Sequence, residues 1–362
     1  MAFSLKLKNL FSDVGQVTSS VPLTAVGIDI GGASIKVVEI EETPKTIVLR
    51  TYGELQLGPY DAKPLGEVVS LKEQNRVEAV TDVIREAGVI GKKGTLAMPL
   101  SSSFLTVISL TLSEKEDLSN RIPVEARKYV PLPLTDVTLD WTELPSMSEK
   151  TTTQEIMLAA VENKSLEDYR NLMSTIGMSA EPAEIEAFSL IRAMWKQSDD
   201  TLAVFDIGAR TIKLYIVRDG VLERLHRVGQ GGREITRRVA ESMNIPFEDA
   251  ENLKRSADQA TEQGGEIFKI SAAVVGPPFA EFRHILEQYE ARLGKPLGRV
   301  VISGGVASTP RLIDYIKDQL GRPVEIADPF AKLAYPAFME DTLREIGPSF
   351  GVALGAALRQ FQ

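Results

Sequence analysis

The chain of 362 residues contains no cysteine. Disulfides, thiolate nucleophiles and cysteine-ligated metals are excluded with it. Only two histidines occur, His226 and His284, 58 residues apart. A histidine metal motif or a His-dependent triad has little to be built from. No apolar stretch approaches the ~20 residues that cross a bilayer, and the N-terminus lacks the apolar region of a secretory signal. Basic residues are outnumbered 41 to 50, for a net charge of −9. Nucleic-acid binding wants the opposite balance, so no nucleic-acid partner is expected.

What remains is ordinary soluble-protein composition, 43% hydrophobic and 25% charged. The length suggests two or three domains at ~100–200 residues each. "MAFSLKLKNLFSDV" places Phe3, Leu7, Leu10, Phe11 and Val14 on one helical face, so residues 1–20 read as an N-terminal arm or amphipathic helix.

Residues 21–93 begin with "VGIDIGGASIKVVEI", an apolar strand broken after an aspartate by two glycines, then a second strand. "TIVLRTYGELQL" predicts a third. Val77, Val80, Ile84 and Ala87 predict a helix over 73–87, closed by Gly88. Residues 94–177 change rhythm and read as a compact α+β insertion. It contains strands at "TLAMP", "FLTVISL", "DVTLDWTEL" and "EIMLAAV", and a helix with a capping box at Ser113 and Glu116. Pro123 should kink or divide that helix. A second helix closes at Gly177. Residues 178–200 return to the first unit, with a helix over 184–195.

"VFDIGARTIKLYIV" then repeats the opening. Asp29, Ile30, Gly31, Ile35 and Lys36 match Asp206, Ile207, Gly208, Ile212 and Lys213, with Ser34 facing Thr211. Five identities in eight positions, each starting its own half of the chain, indicate an internal repeat. The second half divides into 201–230, a helical stretch 231–296 interrupted by "GPP", and 297–362. This last part contains the buried strand "RVVISGGVAST", a helix with Pro310 at its start, and the small-residue helix "GPSFGVALGAAL".

The repeated turn suits phosphate. Backbone N–H groups can approach a phosphate only where side chains are small. Gly31, Gly32, Ala33 and Ser34 offer one such turn, and Gly208, Ala209, Arg210 and Thr211 the other. An aspartate before each turn repels phosphate directly and makes sense with hydrated Mg²⁺ between them. Asp29 and Asp206 are the candidate metal residues. Two ligand-free hairpins would have the same appearance. The P-loop, the dinucleotide G-x-G-x-x-G and the G-x-S-x-G elbow are all missing.

In order and spacing, "GIDIGGASIK", "FDIGARTIK" and "VVISGGVAST" resemble the first phosphate, second phosphate and adenosine motifs of the actin-like ATPase superfamily. The resemblance adds Lys36, Gly231 and Gly232 near the phosphates. It adds Gly304 and Gly305 at the adenosine turn, with Glu251 and Lys254 toward ribose and adenine. It implies ATP and Mg²⁺, and an α/β actin-like (RNase H-like) fold of two lobes, each with a five-stranded sheet, carrying an inserted α+β (SHS2-type) subdomain. "RIPVEARKYVPLPLTDVTLDWTEL" is similar to the insertion of the PilM family of type IV pilus assembly proteins. That family implies a cytoplasmic scaffold peripheral to the inner membrane. The partner it implies is the N-terminal cytoplasmic peptide of PilN, with PilO and the pilus motor ATPases reached indirectly. Membrane association would run through partners, and self-association into homo-oligomers is open. "EIEAFSLIRA" resembles the helix that supplies a water-positioning acid in some relatives, which makes Glu186 the catalytic candidate beside Glu184; hydrolysis is expected to be slow or absent. The alternatives are an FtsA-like membrane-associated filament former in cell division, although FtsA continues into a membrane-targeting helix where this chain stops at "LRQFQ", and a small-metabolite kinase.

Overall fold

Alternating apolar residues and a glycine turn fold the opening segment on itself. In the computed structural model, which describes residues 23–111, 118–145, 153–180, 183–256, 261–309 and 311–361, β1 (Leu23–Ile30) pairs antiparallel with β2 (Ser34–Glu42), and β2 with β3 (Ile47–Gln56). The arm 1–20, the Ser113–Glu116 capping box and Pro310 lie outside the described residues. Helix α1 (Glu73–Glu86) buries Ala79, Val80 and Val83 on this sheet. It ends where Gly88 takes φ +66° and donates to the carbonyl of Arg85, a left-handed stop that suits glycine.

β4 (Lys93–Met98) corrects the boundary drawn at residue 94. It runs parallel to β1, Val26 opposite Gly94, and so belongs to the first lobe. A strand's membership is decided by its partner, and a parallel partner is remote in sequence.

The insertion proper comprises β5 (Ser103–Thr111), α2 (Leu118–Ala126), β6 (Val137–Glu143) and β7 (Thr153–Glu162), with strand order β5-β7-β6. Helix α2 runs through Pro123 undivided. One face of the small sheet packs on α2 through Ile108, Ile156, Leu158, Ile122 and Ala126. The other carries Met157, Ala159 and Val161 into a core shared with both lobes, including Leu190, Tyr215, Val217 and Leu222. Glu155 pairs with Arg224 and Arg292 of the second lobe at 3.2 and 2.7 Å.

Helix α3 (Asn163–Thr175), the short strands β8 (Ser179–Ala180) and β9 (Glu184–Ile185), and α4 (Glu186–Met194) return to the first lobe. β8 and β9 both pair with β4, which makes this sheet six-stranded.

The second lobe repeats the plan. β10 (Thr201–Ile207), β11 (Ile212–Arg218) and β12 (Val221–Val228) form the antiparallel part. After α5 (Gly232–Met243), α6 (Phe247–Ser256) and α7 (Glu262–Leu293), β13 (Arg299–Ser303) pairs parallel with β10. Helix α8 (Leu312–Leu320) and β14 (Glu325–Ile326) complete a five-stranded sheet, β12-β11-β10-β13-β14. The first lobe follows the same order, β3-β2-β1-β4. "GPP" does not interrupt α7, which is continuous for 32 residues with Pro277 and Pro278 inside. Its ladder loses donors there, while Phe279 and Phe282, packed at a tilt against Phe205 with ring centroids 4.9 and 5.4 Å away, hold the helix to the sheet.

Residues 297–362 were expected wholly in the second lobe. α9 (Glu340–Ile346) and α10 (Gly351–Leu358) instead cross back. Leu343, Phe350, Ala353, Leu354 and Ala357 share a core with Ala25, Val38, Ile40 and Leu49 of the first sheet. Glycine makes the approach: a Cβ on Gly27 would lie 1.8 Å from the carbonyl oxygen of Ala353. No helix of the described residues is long and apolar enough to cross a membrane.

Candidate functional site

The two hairpin turns have one geometry. The N–H of Gly31 donates to the Ser34 carbonyl at 2.9 Å, and that of Gly208 to the Thr211 carbonyl at 3.0 Å. Register sets Asp29 opposite Lys36 and Asp206 opposite Lys213. The fold brings the turns together: a Cβ on Gly32 would lie 3.8 Å from Cβ of Arg210. The N–H groups of Gly32, Ala33, Ala209 and Arg210 make no hydrogen bond among the described residues. They are donors without acceptors, as an anion site requires.

Two more glycine elements close on the second turn. Gly232 and Arg233, opening α5, donate N–H groups to the carbonyls of Gly208 and Ala209, both at 2.9 Å. A Cβ on Gly231 would sit 2.5 Å from the Gly208 oxygen, and one on Gly304, whose φ is +95°, 2.4 Å from the Ile207 oxygen. Gly305 beside it faces open space. A cavity of about 270 Å³ lies here, lined by Val68, Ala209, Arg210, Gly229, Gly231, Arg233 and Glu234.

Glu251 and Lys254 come to the same region but engage each other. Lys254 Nζ lies 2.5 Å from Glu251 Oε2, 2.9 Å from Thr236 Oγ1 and 3.3 Å from the Gly232 carbonyl. Arg255 Nε reaches Glu251 Oε1 at 2.7 Å. Burial works to raise the Glu251 pKa; Lys254, Thr236 and Arg255 outweigh it and hold the carboxyl below its usual range.

Sequence reasoning missed the segment between β3 and α1, whose "GPYDAKPLGEVVSL" carries no recognisable signal. It straps the cleft. Val69 N–H donates to the Gly32 carbonyl at 3.0 Å, Glu67 pairs with Arg233 across the lobes, and Gly66, at φ +79°, rests on Glu251.

The acids differ between the hairpins. Asp29 has no side-chain hydrogen bond or ion pair among the described residues, because Lys36 turns to Ser34 Oγ at 2.7 Å and Glu54 at 3.2 Å. Burial pushes the Asp29 carboxyl up to about 7, with Lys36 and Lys213 opposing and Glu186 and Asp206 assisting. Asp206 is paired: Lys213 Nζ lies 3.0 Å from its Oδ2 and 2.9 Å from Glu186 Oε2. Glu186, the first residue of α4, also accepts the Leu100 N–H at 2.8 Å through Oε1. Lys213 was visible only as the partner of Lys36 in the repeat. For a metal ion, both oxygens of Asp29 are unengaged, whereas Asp206 shares its Oδ2 with Lys213. No group of three or more acids or histidines placed to hold a metal occurs among the described residues.

The sequence profile of the family described as "Type IV pilus assembly protein PilM" matches residues 27–361. The fold is similar to that of the "PilM-PilN type IV pilus biogenesis complex", with a TM-score of 0.77 at 22% identity over 93% of this chain and 98% of that one. It is also similar to the ethanolamine utilization protein EutJ from Carboxydothermus hydrogenoformans (TM-score 0.55, 18% identity, 97% and 96% covered). A third is MreB 5 of Spiroplasma citri bound to AMPPNP (TM-score 0.51, 14% identity, 92% and 94% covered). These likenesses establish the actin-like fold, and the profile match spans nearly the whole chain: it belongs to the PilM family of type IV pilus assembly proteins.

Proposed function

We propose that this chain is an ATP-binding scaffold of the type IV pilus inner-membrane assembly complex, cytoplasmic and held at the membrane through partners. The observation that carries the nucleotide reading is the meeting of the two turns, each with unengaged N–H donors, beside Gly231 and Gly304. Phosphates would lie on Gly31 to Ser34 and Gly208 to Thr211, and ribose and base toward Glu251, Lys254 and Gly305. Mg²⁺, where it binds, supplies charge neutralisation at the phosphates, and Asp29 is the carboxylate free to orient its waters. Glu186 remains the candidate to position a water, its Oε1 also accepting the Leu100 N–H and its Oε2 the Lys213 ammonium, with hydrolysis slow or absent. The test is titration with a fluorescent ATP analogue in excess Mg²⁺. Saturable binding is expected, weakened about tenfold or more in Asp29→Ala and unchanged in Asp318→Ala, an exposed site on α8. Absence of saturable binding by folded protein would overturn the reading.

The family and the PilM–PilN complex support PilN as partner. Three of the seven exposed large hydrophobic side chains among the described residues, Val124, Tyr129 and Leu132, cluster on α2 and the loop after it. Tyr129 is 42% exposed and so is not given over to the subdomain's core. An apolar rim of this kind suits an extended peptide. In a titration of the PilN N-terminal peptide, Val124→Ser with Tyr129→Ser is expected to weaken binding about tenfold or more. Wild-type affinity in the double variant would place the peptide elsewhere.

A further inference from the structure

The two turns aligned by the repeat differ most at one position. Gly31, Gly32, Ala33 and Ser34 stand opposite Gly208, Ala209, Arg210 and Thr211, so a guanidinium faces a methyl group where every other residue is small. Arg210 sits where the hairpins meet, its Cβ 3.8 Å from the place a Cβ on Gly32 would take. It lines the cavity beside the second turn. Its side chain is exposed and makes no hydrogen bond or ion pair among the described residues. We propose that the Arg210 guanidinium grips the phosphate tail of the nucleotide beyond its first phosphate, and so sets the preference of this chain for ATP over AMP. The proposal rests on the nucleotide reading above and gives that site a specificity-determining residue.

The other charges around the cavity are already matched. Arg233, the second arginine of the lining, pairs with Glu67 of the strap. Glu234, the carboxylate of the lining, is shared by Arg237 at 2.6 Å and Arg238 at 2.9 Å. The hydrogen bonds of Arg237, then of Arg238, hold its carboxyl down to about 2. Arg237 also pairs with Glu241. Counting these partners, four arginines meet three carboxylates, and the charge left over is that of Arg210. Asp29, Asp206 and Glu186 do not line the cavity. The ribose end of the nucleotide belongs to Glu251, Lys254 and Gly305, all of the second lobe, and the first phosphate is bonded to that ribose. Arg210 instead adjoins Gly32 across the cleft, where the far end of a tail held by both turns would lie. A guanidinium offers phosphate oxygens two parallel N–H bonds, and reaches further than the backbone donors of the turn. Because the side chain holds no other group in place, its removal costs the fold nothing, and an effect on binding comes through the ligand.

The experiment is displacement of a fluorescent ATP analogue from the full chain by ATP and by AMP, in excess Mg²⁺. Arg210→Gln is expected to bind ATP about tenfold or more weakly than wild type, and AMP within about threefold of it. Arg283→Gln removes the same charge from an exposed position on α7 and is expected to leave both constants unchanged. A thermal melt should not separate the variants from wild type, since both positions are exposed. An Arg210→Gln protein that binds ATP within about threefold of wild type would overturn the proposal and leave the nucleotide reading intact. So would equal losses for ATP and AMP, because the residue would then shape the turn and not read the tail. Where AMP does not displace the analogue from wild type, the ATP constants of the two variants decide alone. Absence of saturable binding by folded wild-type protein would remove the nucleotide reading and this proposal together.

Discussion

Gly27→Ala and Gly355→Ala are each expected to yield either no soluble protein or protein melting about 5 °C lower or more. Both glycines receive the backbone of α10 or present it. A Cβ on Gly27 in β1 would lie 1.8 Å from the carbonyl oxygen of Ala353 and 2.5 Å from the N of Ala357. A Cβ on Gly355 would lie 1.7 Å from the carbonyl oxygen of Ser189 in α4. These neighbours are main chain, so no rotamer change relieves the overlap. The helix would have to lift from the sheet by more than an atomic radius, opening the core that Phe350, Ala353 and Leu354 share with Ala25, Val38 and Ile40. Overpacking of a core typically costs 1–3 kcal/mol when side chains can adjust; with backbone on both sides we expect about 4 kcal/mol or more. Gly265→Ala is the control. It lies inside α7 with nothing within 4 Å of its Cβ position, and should stabilise by roughly 0.5–1 kcal/mol through helix propensity alone. Thermal unfolding followed by circular dichroism reads all three. A Gly27→Ala protein melting within a degree or two of wild type would show that α10 is not seated as described.

The same contrast explains how much of the fold was legible in the sequence. Elements whose cause is local were readable. The twin hairpins follow from apolar strands, a glycine turn and an aspartate, and α1 from its apolar spacing and Gly88. That Gly231 and Gly304 lie beside the second turn came from the family resemblance, and the close main-chain approach at both agrees with it. What escaped was decided by partners remote in the chain. β4 resembles an insertion strand until β1 is beside it. The C-terminal helix follows second-lobe sequence but buries its small residues on the first lobe. The prolines of α7 are tolerated because Phe279 and Phe282 anchor the helix. The strap over Glu251 has no pattern of its own. The divergence of Lys36 and Lys213 was invisible for a related reason: identical positions in a repeat do not specify which acids the other lobe supplies.

The largest electrostatic effect is expected away from the cleft, at Glu184. Glu184→Ala should destabilise the protein by about 3–5 kcal/mol. Arg192 from α4 holds the carboxylate with both terminal nitrogens, Nη1 to Oε2 at 2.5 Å and Nη2 to Oε1 at 2.6 Å. Ser189 Oγ donates to Oε2 at 2.7 Å. Arg359 Nη1 lies 3.1 Å from Oε1, near enough for charge attraction but without hydrogen-bond alignment. Arg192 Nη1 also reaches the Gly355 carbonyl at 3.0 Å, so the cluster ties α4 to α10. Both side chains of the pair are under a tenth exposed, 8% for Arg192 and 6% for Glu184. Removing the carboxylate leaves a guanidinium buried without its counter-charge, and that uncompensated charge dominates the cost. The pair itself contributes less than its removal suggests. Glu184→Leu combined with Arg192→Met should therefore be less destabilised than Glu184→Ala alone, because only the more exposed Arg359 is then left without its counter-charge. The pH dependence has a definite sign. Burial works to raise the Glu184 pKa, but the charge and hydrogen bonds of Arg192, with Arg359 and Ser189, outweigh it and hold the folded-state value below the usual carboxylate range. Such a group contributes stability above its unfolded pKa and loses it as pH falls through the folded one. The gap between wild type and Glu184→Ala in urea unfolding should accordingly be full at neutral pH and shrink on acidification below the ordinary glutamate range. A gap that stays constant into acid would mean that the cost is cavity and packing, not the ion pair.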